Sequence, residues 1–138
     1  MKLMKLLLVL VISVFTVFAA APRAQEEEEH ASWMKAVQST SGKLRTNIGS
    51  KAADDVAKDA AKMEEIFKKC EEFWTKRNTE DAVNWSQQAR TSSKEIADAA
   101  KGNDMEKAAT SLRSLMGNCA ACHAAHRERA PGGGYKIK

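Results

Sequence analysis

From Ser32 onward, apolar and small residues recur at alternating three- and four-residue steps, interrupted at three places by short polar stretches. Met34, Val37, Ser41, Leu44 and Ile48 mark a first stripe. Val56, Ala60, Met63, Phe67, Cys70 and Trp74 mark a second, widened by Ile66 and Phe73. A third, made of smaller residues, runs through Ala82, Ser86, Ala89, Ser93, Ile96 and Ala100, flanked by Val83 and Trp85. Ala108, Leu112, Leu115, Cys119, Cys122 and His126 form the fourth. This period is that of a helix with one buried face. It predicts helices over about 32–48, 52–77, 80–101 and from 105 on. Gly49-Ser50, Asn78-Thr79 and Gly102-Asn103-Asp104 separate them, with glycine as a stop and Thr79 as an N-cap. No strand pattern is present, and Pro131-Gly132-Gly133-Gly134 is expected to end regular structure, leaving 131–138 as a flexible tail.

Four helices of roughly 17 to 26 residues with short connections must each turn back on the one before. The expected fold is therefore all-α, an up-down-up-down antiparallel four-helix bundle. This topology gathers particular residues at one end. They are Trp33 and Met34, then Cys70, Phe73 and Trp74, then Val83 and Trp85, then the last turns of the fourth helix. Small residues elsewhere and all three tryptophans at one end suit a flat apolar ligand seated there. The plainer alternative is that aromatics fill a wide bundle end.

The first residues read differently. Lys2 and Lys5 precede an apolar run from Leu6 to Phe18 and the small residues Ala19, Ala20 and Ala21, the layout of a secretory leader over 1–21. The run is short for a membrane span, which takes about 20 residues, so anchoring in a membrane is the lesser reading and a periplasmic location the expected one. Residues 22–31 carry four consecutive glutamates and are expected as an acidic, solvated lead-in to the helical domain of 32–130. The formal net charge of +4 falls to about +2 without Lys2 and Lys5. With basic residues interspersed among acids, nucleic-acid binding is not expected.

Cys119-Ala120-Ala121-Cys122-His123 carries the chemistry. Two thiols three residues apart, followed at once by an imidazole, match covalent haem attachment: thioethers to both vinyl groups and a nitrogen ligand for iron. On a helix, Cys119, Cys122 and His123 project from one side. A structural zinc site would need further ligands, such as His126 with His30 or Cys70, and no second Cys-x-x-Cys exists. A thioredoxin-like dithiol should follow a strand in a βαβ unit, and none is present. Haem c and iron are thus the expected cofactors, with His123 as proximal ligand. Thioethers also suit an exported protein, in which free thiol pairs normally become disulfides.

Met34 lies on the first helix at the matching end and is the expected distal ligand, a thioether that raises the reduction potential. The alternatives are a core methionine, His30 as the ligand, or an open sixth site. His126 shares the helix of His123 and cannot reach the opposite face. For Cys70 the readings are a buried free thiol, a bond to a second copy in a homodimer, or a place against the porphyrin.

Gly117-x-Cys119-x-x-Cys122-His123 with Arg127 four residues on, at the end of a four-helix chain, resembles the class II cytochromes c. That family includes cytochrome c prime and its low-spin, methionine-ligated relatives. Met34-Lys35 and Trp85 are similar to positions where the family carries its distal residue and an aromatic. The resemblance spans roughly Ala31 to Arg129. It implies covalent haem c, His123 proximal and Met34 distal, with Arg127 near a haem propionate. Trp33, Phe73, Trp74, Trp85 and Gly117 complete the expected pocket, where a glycine lets the haem edge come close. The short connection between helices 2 and 3, and the lack of a later aromatic in helix 3, depart from the family pattern.

The expected function is single-electron transfer with redox partner proteins, to which Lys35 and Lys76 are candidate docking residues. The alternative is a five-coordinate haem protein that binds a small gas such as NO. A peroxidase-like enzyme would need a distal base, for which only His30 is available. No acid–base pair points to turnover, so an enzyme is not expected.

Overall fold

The computed structural model describes the backbone of residues 2–138 and the side chains of residues 22–138. The leader expected over 1–21 lies outside the described side chains. Among the described residues, no helix is long and apolar enough to cross a membrane.

Four helices make up almost the whole chain: α1 (Lys2–Gly49), α2 (Ala53–Lys76), α3 (Glu80–Lys101) and α4 (Met105–His126). Connections of three residues return each helix along its predecessor, an arrangement compatible with the expected four-helix bundle. Each connection turns on one residue with positive φ: Lys51, Asn78 and Asn103. Asparagine tolerates this region by bonding its own backbone. Gly49 and Gly102 do not take that conformation, so the expected glycine stops are displaced by one or two residues. Asp104 caps α4 as its position suggests, accepting from the Lys107 N–H at 2.9 Å. Thr79 occupies the N-cap position of α3 without a side-chain capping bond.

The helical stripes become the core. Leu44, Val56, Ala60, Met63, Ile96, Ala108 and Leu115 are buried, and the aromatics Phe67, Phe73 and Trp74 continue the core along α2. Burying a side chain of Leu, Met or Phe size stabilises the fold by about 1.5–3 kcal/mol. Serines on the stripes are accommodated by local bonding: Ser41, Ser86 and Ser93 each donate to the carbonyl four residues earlier, at 2.8 Å.

Two stretches carry more structure than the sequence suggests. The acidic lead-in is largely exposed, as expected, but it is helical and part of α1, and Arg77 at the end of α2 holds it by ion pairs to Glu26 (3.0 Å) and Glu27 (3.3 Å). The C-terminal stretch is not a bare tail. β1 (Arg127–Arg129) and β2 (Tyr135–Ile137) pair as an antiparallel hairpin, with Arg129 opposite Tyr135 and Arg127 opposite Ile137. The turn needs positive φ at Gly132, Gly133 and Gly134 in succession, a run that side chains would strain. Helix α4 therefore ends at His126, and Arg127 already has extended backbone.

Packing between helices is uneven. α2 and α3 are in extensive contact, α3 and α4 nearly as much, and α1 lies on α2; α1 and α4 barely touch.

Candidate functional site

The end of the bundle where α2 meets α3 holds all three tryptophans, Phe73, the three histidines and the three cysteines. His30 stacks on Phe73 with ring centroids 4.5 Å apart and meets Trp74 edge-on at 5.6 Å and Trp33 at 6.1 Å. Phe73 and Trp74 are perpendicular at 5.0 Å. His126 lies against Trp74 (5.1 Å) and Trp85 (6.0 Å), and its Nε2 pairs with Asp81 Oδ2 at 2.9 Å, tying α4 to α3. Edge-to-face pairs at such separations add roughly 0.5–1.5 kcal/mol beyond burial.

Cys119, Cys122 and His123 are half-buried on α4, with Cys119 and Cys122 packed against the core. Cys119 and His123 open outward into a cleft of about 590 Å³, shared with Met116, Ala120, Ala124 and the hairpin residues Arg127, Glu128, Arg129 and Tyr135. Cys70 is 2% exposed on α2 and forms no disulfide.

The electrostatics keep these groups neutral. Burial pushes the Cys122 thiol up to about 11, with smaller contributions from Cys119 and Asp81, and burial likewise raises Cys119. Cys70 is pushed up to about 12, first by burial and then by Cys122 and Cys119. Protonated thiols of this kind are unlike the low-pKa pairs of dithiol oxidoreductases. Burial and then Arg127 hold the His123 imidazole below its ordinary range, leaving the neutral form that binds iron. His30 is driven down to about 4, chiefly by burial, then by Arg77 and His123, against a small opposing effect of Glu27.

Met34 is partly buried and packed against the core on α1, at this same end. Trp33 and Trp85 are half-buried, and Phe73 and Trp74 are 4% exposed each. A Cβ added to Gly117 would meet no protein atom within 4 Å, so nothing in the polypeptide itself demands glycine there. Lys35 is exposed, while Lys76 shares a mixed-charge groove of about 210 Å³ with Glu26, Glu29, Lys69 and Glu72.

The residues suit a haem by donor chemistry and by room. Two neutral thiols and a neutral imidazole sit close together on the last turns of α4, and Cys119 and His123 border the open cleft. Among the described residues, no group of three or more His, Cys, Asp or Glu side chains is arranged to hold a metal ion by itself.

Two participants were underweighted in the sequence. His30 falls within a run of charge, yet it belongs to the aromatic cluster. Arg77, in no stripe, lies 3.8 Å above the Phe73 ring while holding Glu26 and Glu27, and its Nε is buried without a partner. The signal for both was their helical phase with Trp33 and Trp74. No family model matches the chain, and no curated protein matches it.

Proposed function

We propose that this chain is an exported c-type cytochrome, similar to the low-spin class II cytochromes c, that carries single electrons between partner proteins. The observation that supports this best is the grouping of half-buried Cys119, Cys122 and His123 on the last turns of α4, at the end of the bundle where α1 carries the core-packed Met34. Haem c would supply an iron that cycles between Fe(II) and Fe(III) without making or breaking bonds.

The chain's own residues have distinct tasks in this reading. Cys119 and Cys122 would hold the haem through thioethers, each sulfur bonding one vinyl carbon while its thiol proton goes to the other, with no electrons gained or lost. His123 would bind the iron as neutral imidazole. Met34 would supply a sulfur ligand from α1, and the aromatic side chains at this end would shield the ring from water. The acidic start of α1, anchored by Arg77, holds the distal helix in place.

His30 is a second candidate for the distal position, since it lies in the aromatic cluster with Trp33, Phe73 and Trp74 at this same end. Visible spectra of the ferric and ferrous holoprotein separate the readings. A low-spin wild type that becomes high-spin and binds CO in Met34→Ala, but not in His30→Ala, supports Met34. The reverse pattern assigns the position to His30. A high-spin wild type that takes up CO or NO directly overturns the electron-carrier reading in favour of gas binding.

A further inference from the structure

We propose that the C-terminal hairpin is the outer wall of the haem pocket, with Arg129, set beside Arg127 by Tyr135, pairing with a second haem propionate. The inference rests on the haem reading above and extends it to a segment whose sequence suggests only a tail.

The cleft at Cys119 and His123 is half made of hairpin. Arg127, Glu128, Arg129 and Tyr135 form its far side. Both guanidiniums gather on one ring, Arg127 at 3.9 Å and Arg129 at 5.6 Å from the Tyr135 centroid. Cation–π contacts of this kind fix the direction of otherwise mobile side chains. Strand alternation puts Arg127, Arg129, Tyr135 and Ile137 on one hairpin face and Glu128 with Lys136 on the other.

Charge then favours a dianion. Among the cleft-lining residues, Arg127 and Arg129 are the only cations, and neither forms an ion pair among the described residues. Glu128, the only carboxylate there, is already paired with Lys136 at 3.1 Å. The other titratable groups facing the cleft are Cys119, His123 and Tyr135. A planar ligand with two carboxylates, tethered through Cys119, meets on the hairpin the two guanidiniums that bidentate pairing calls for.

The hairpin is attached firmly enough to serve as a wall. Ile137 packs against the core. The Lys138 N–H donates to the His126 carbonyl at 3.1 Å, and Lys138 Nζ donates to the Ala124 carbonyl at 3.0 Å. Both acceptors lie on the last turn of α4, next to His123.

The test compares exported wild-type holoprotein with Arg129→Gln, Arg129→Lys, Lys136→Gln and a chain ending at Ala130. Intact mass reads the attached haem, and spectroelectrochemical titration reads the midpoint potential against pH. The potential falls as pH rises through ionisation of a propionate, because the anion stabilises Fe(III). A guanidinium beside that propionate keeps its pKa low, so Arg129→Gln and the truncated chain should move the pH-dependent step upward by about 1 unit, with haem still attached. Arg129→Lys should restore most of the position, and Lys136→Gln, on the other face, should leave it unmoved. A step at the wild-type pH in Arg129→Gln, with haem attached, overturns the hairpin's role and leaves the cytochrome reading standing. Wild type exported without attached haem overturns both.

Discussion

The two ends of the bundle are built differently. Near the α1–α2 and α3–α4 turns, Leu44, Val56, Ala60, Ile96 and Ala108 are fully enclosed, with aliphatic and small side chains filling the space. At the opposite end, bulky rings pack edge to face, and Met34, Cys119, Cys122 and His123 are left half-buried. The first end is complete as polypeptide. The second leaves two protonated thiols and a neutral imidazole half-buried at the surface of the core. Complete enclosure and partial burial are thus separated along one axis of a small protein.

The largest effect should come from the open end. Cys119→Ala with Cys122→Ala should abolish covalent haem completely by intact mass, while far-UV circular dichroism retains the helical signal; retained haem mass would sink the attachment site. At the closed end, Leu44→Ala should cost about 2–5 kcal/mol in urea unfolding through the cavity it leaves. It should leave haem attachment and spin state as in the wild type, and a spectral change there would break the separation of the two ends.

A smaller effect concerns pH in the haem-free double-alanine chain. His30 has its folded pKa lowered from 6.5 to about 4, so between these values the unfolded chain takes up a proton that the folded chain refuses. Stability should therefore fall as pH falls through that window, by up to about 3 kcal/mol, and level off below it. His30→Phe should flatten the slope; an unchanged slope would place the titration elsewhere. The smallest change expected is for Arg77→Leu, about 1–3 kcal/mol, from loss of the contacts to Glu26, Glu27 and Phe73. Hydrogen exchange should then rise first in residues 26–30, and exchange rising evenly along α1 would contradict an anchoring role.

Much of the fold was legible because helical periodicity is a local property. The residues of the α2 and α3 stripes are buried almost without exception, and their helix limits agree with expectation to within a residue. What local pattern did not carry was the anchoring of the charged stretch. Four glutamates before His30 suggested solvent, and Glu28 and Glu29 are exposed, but nothing within that stretch reveals that Arg77, some fifty residues later, is folded against Phe73 to receive Glu26 and Glu27. Likewise, Pro131 and three glycines suggested an end to regular structure, whereas the positive φ angles of Gly132, Gly133 and Gly134 form the turn that brings Tyr135 back to Arg129.

Short-range pattern alone determined the four helices, their buried faces and the grouping of thiols and imidazole on one side of the last helix, since each depends on spacings of three or four residues. Only the tertiary structure decided that His30 joins the aromatic cluster, that α1 stands off from α4, and that the C-terminal arginines line the cleft beside His123. Those depend on contacts between residues far apart in the chain, whose energies come from burial and charge pairing that no local spacing encodes.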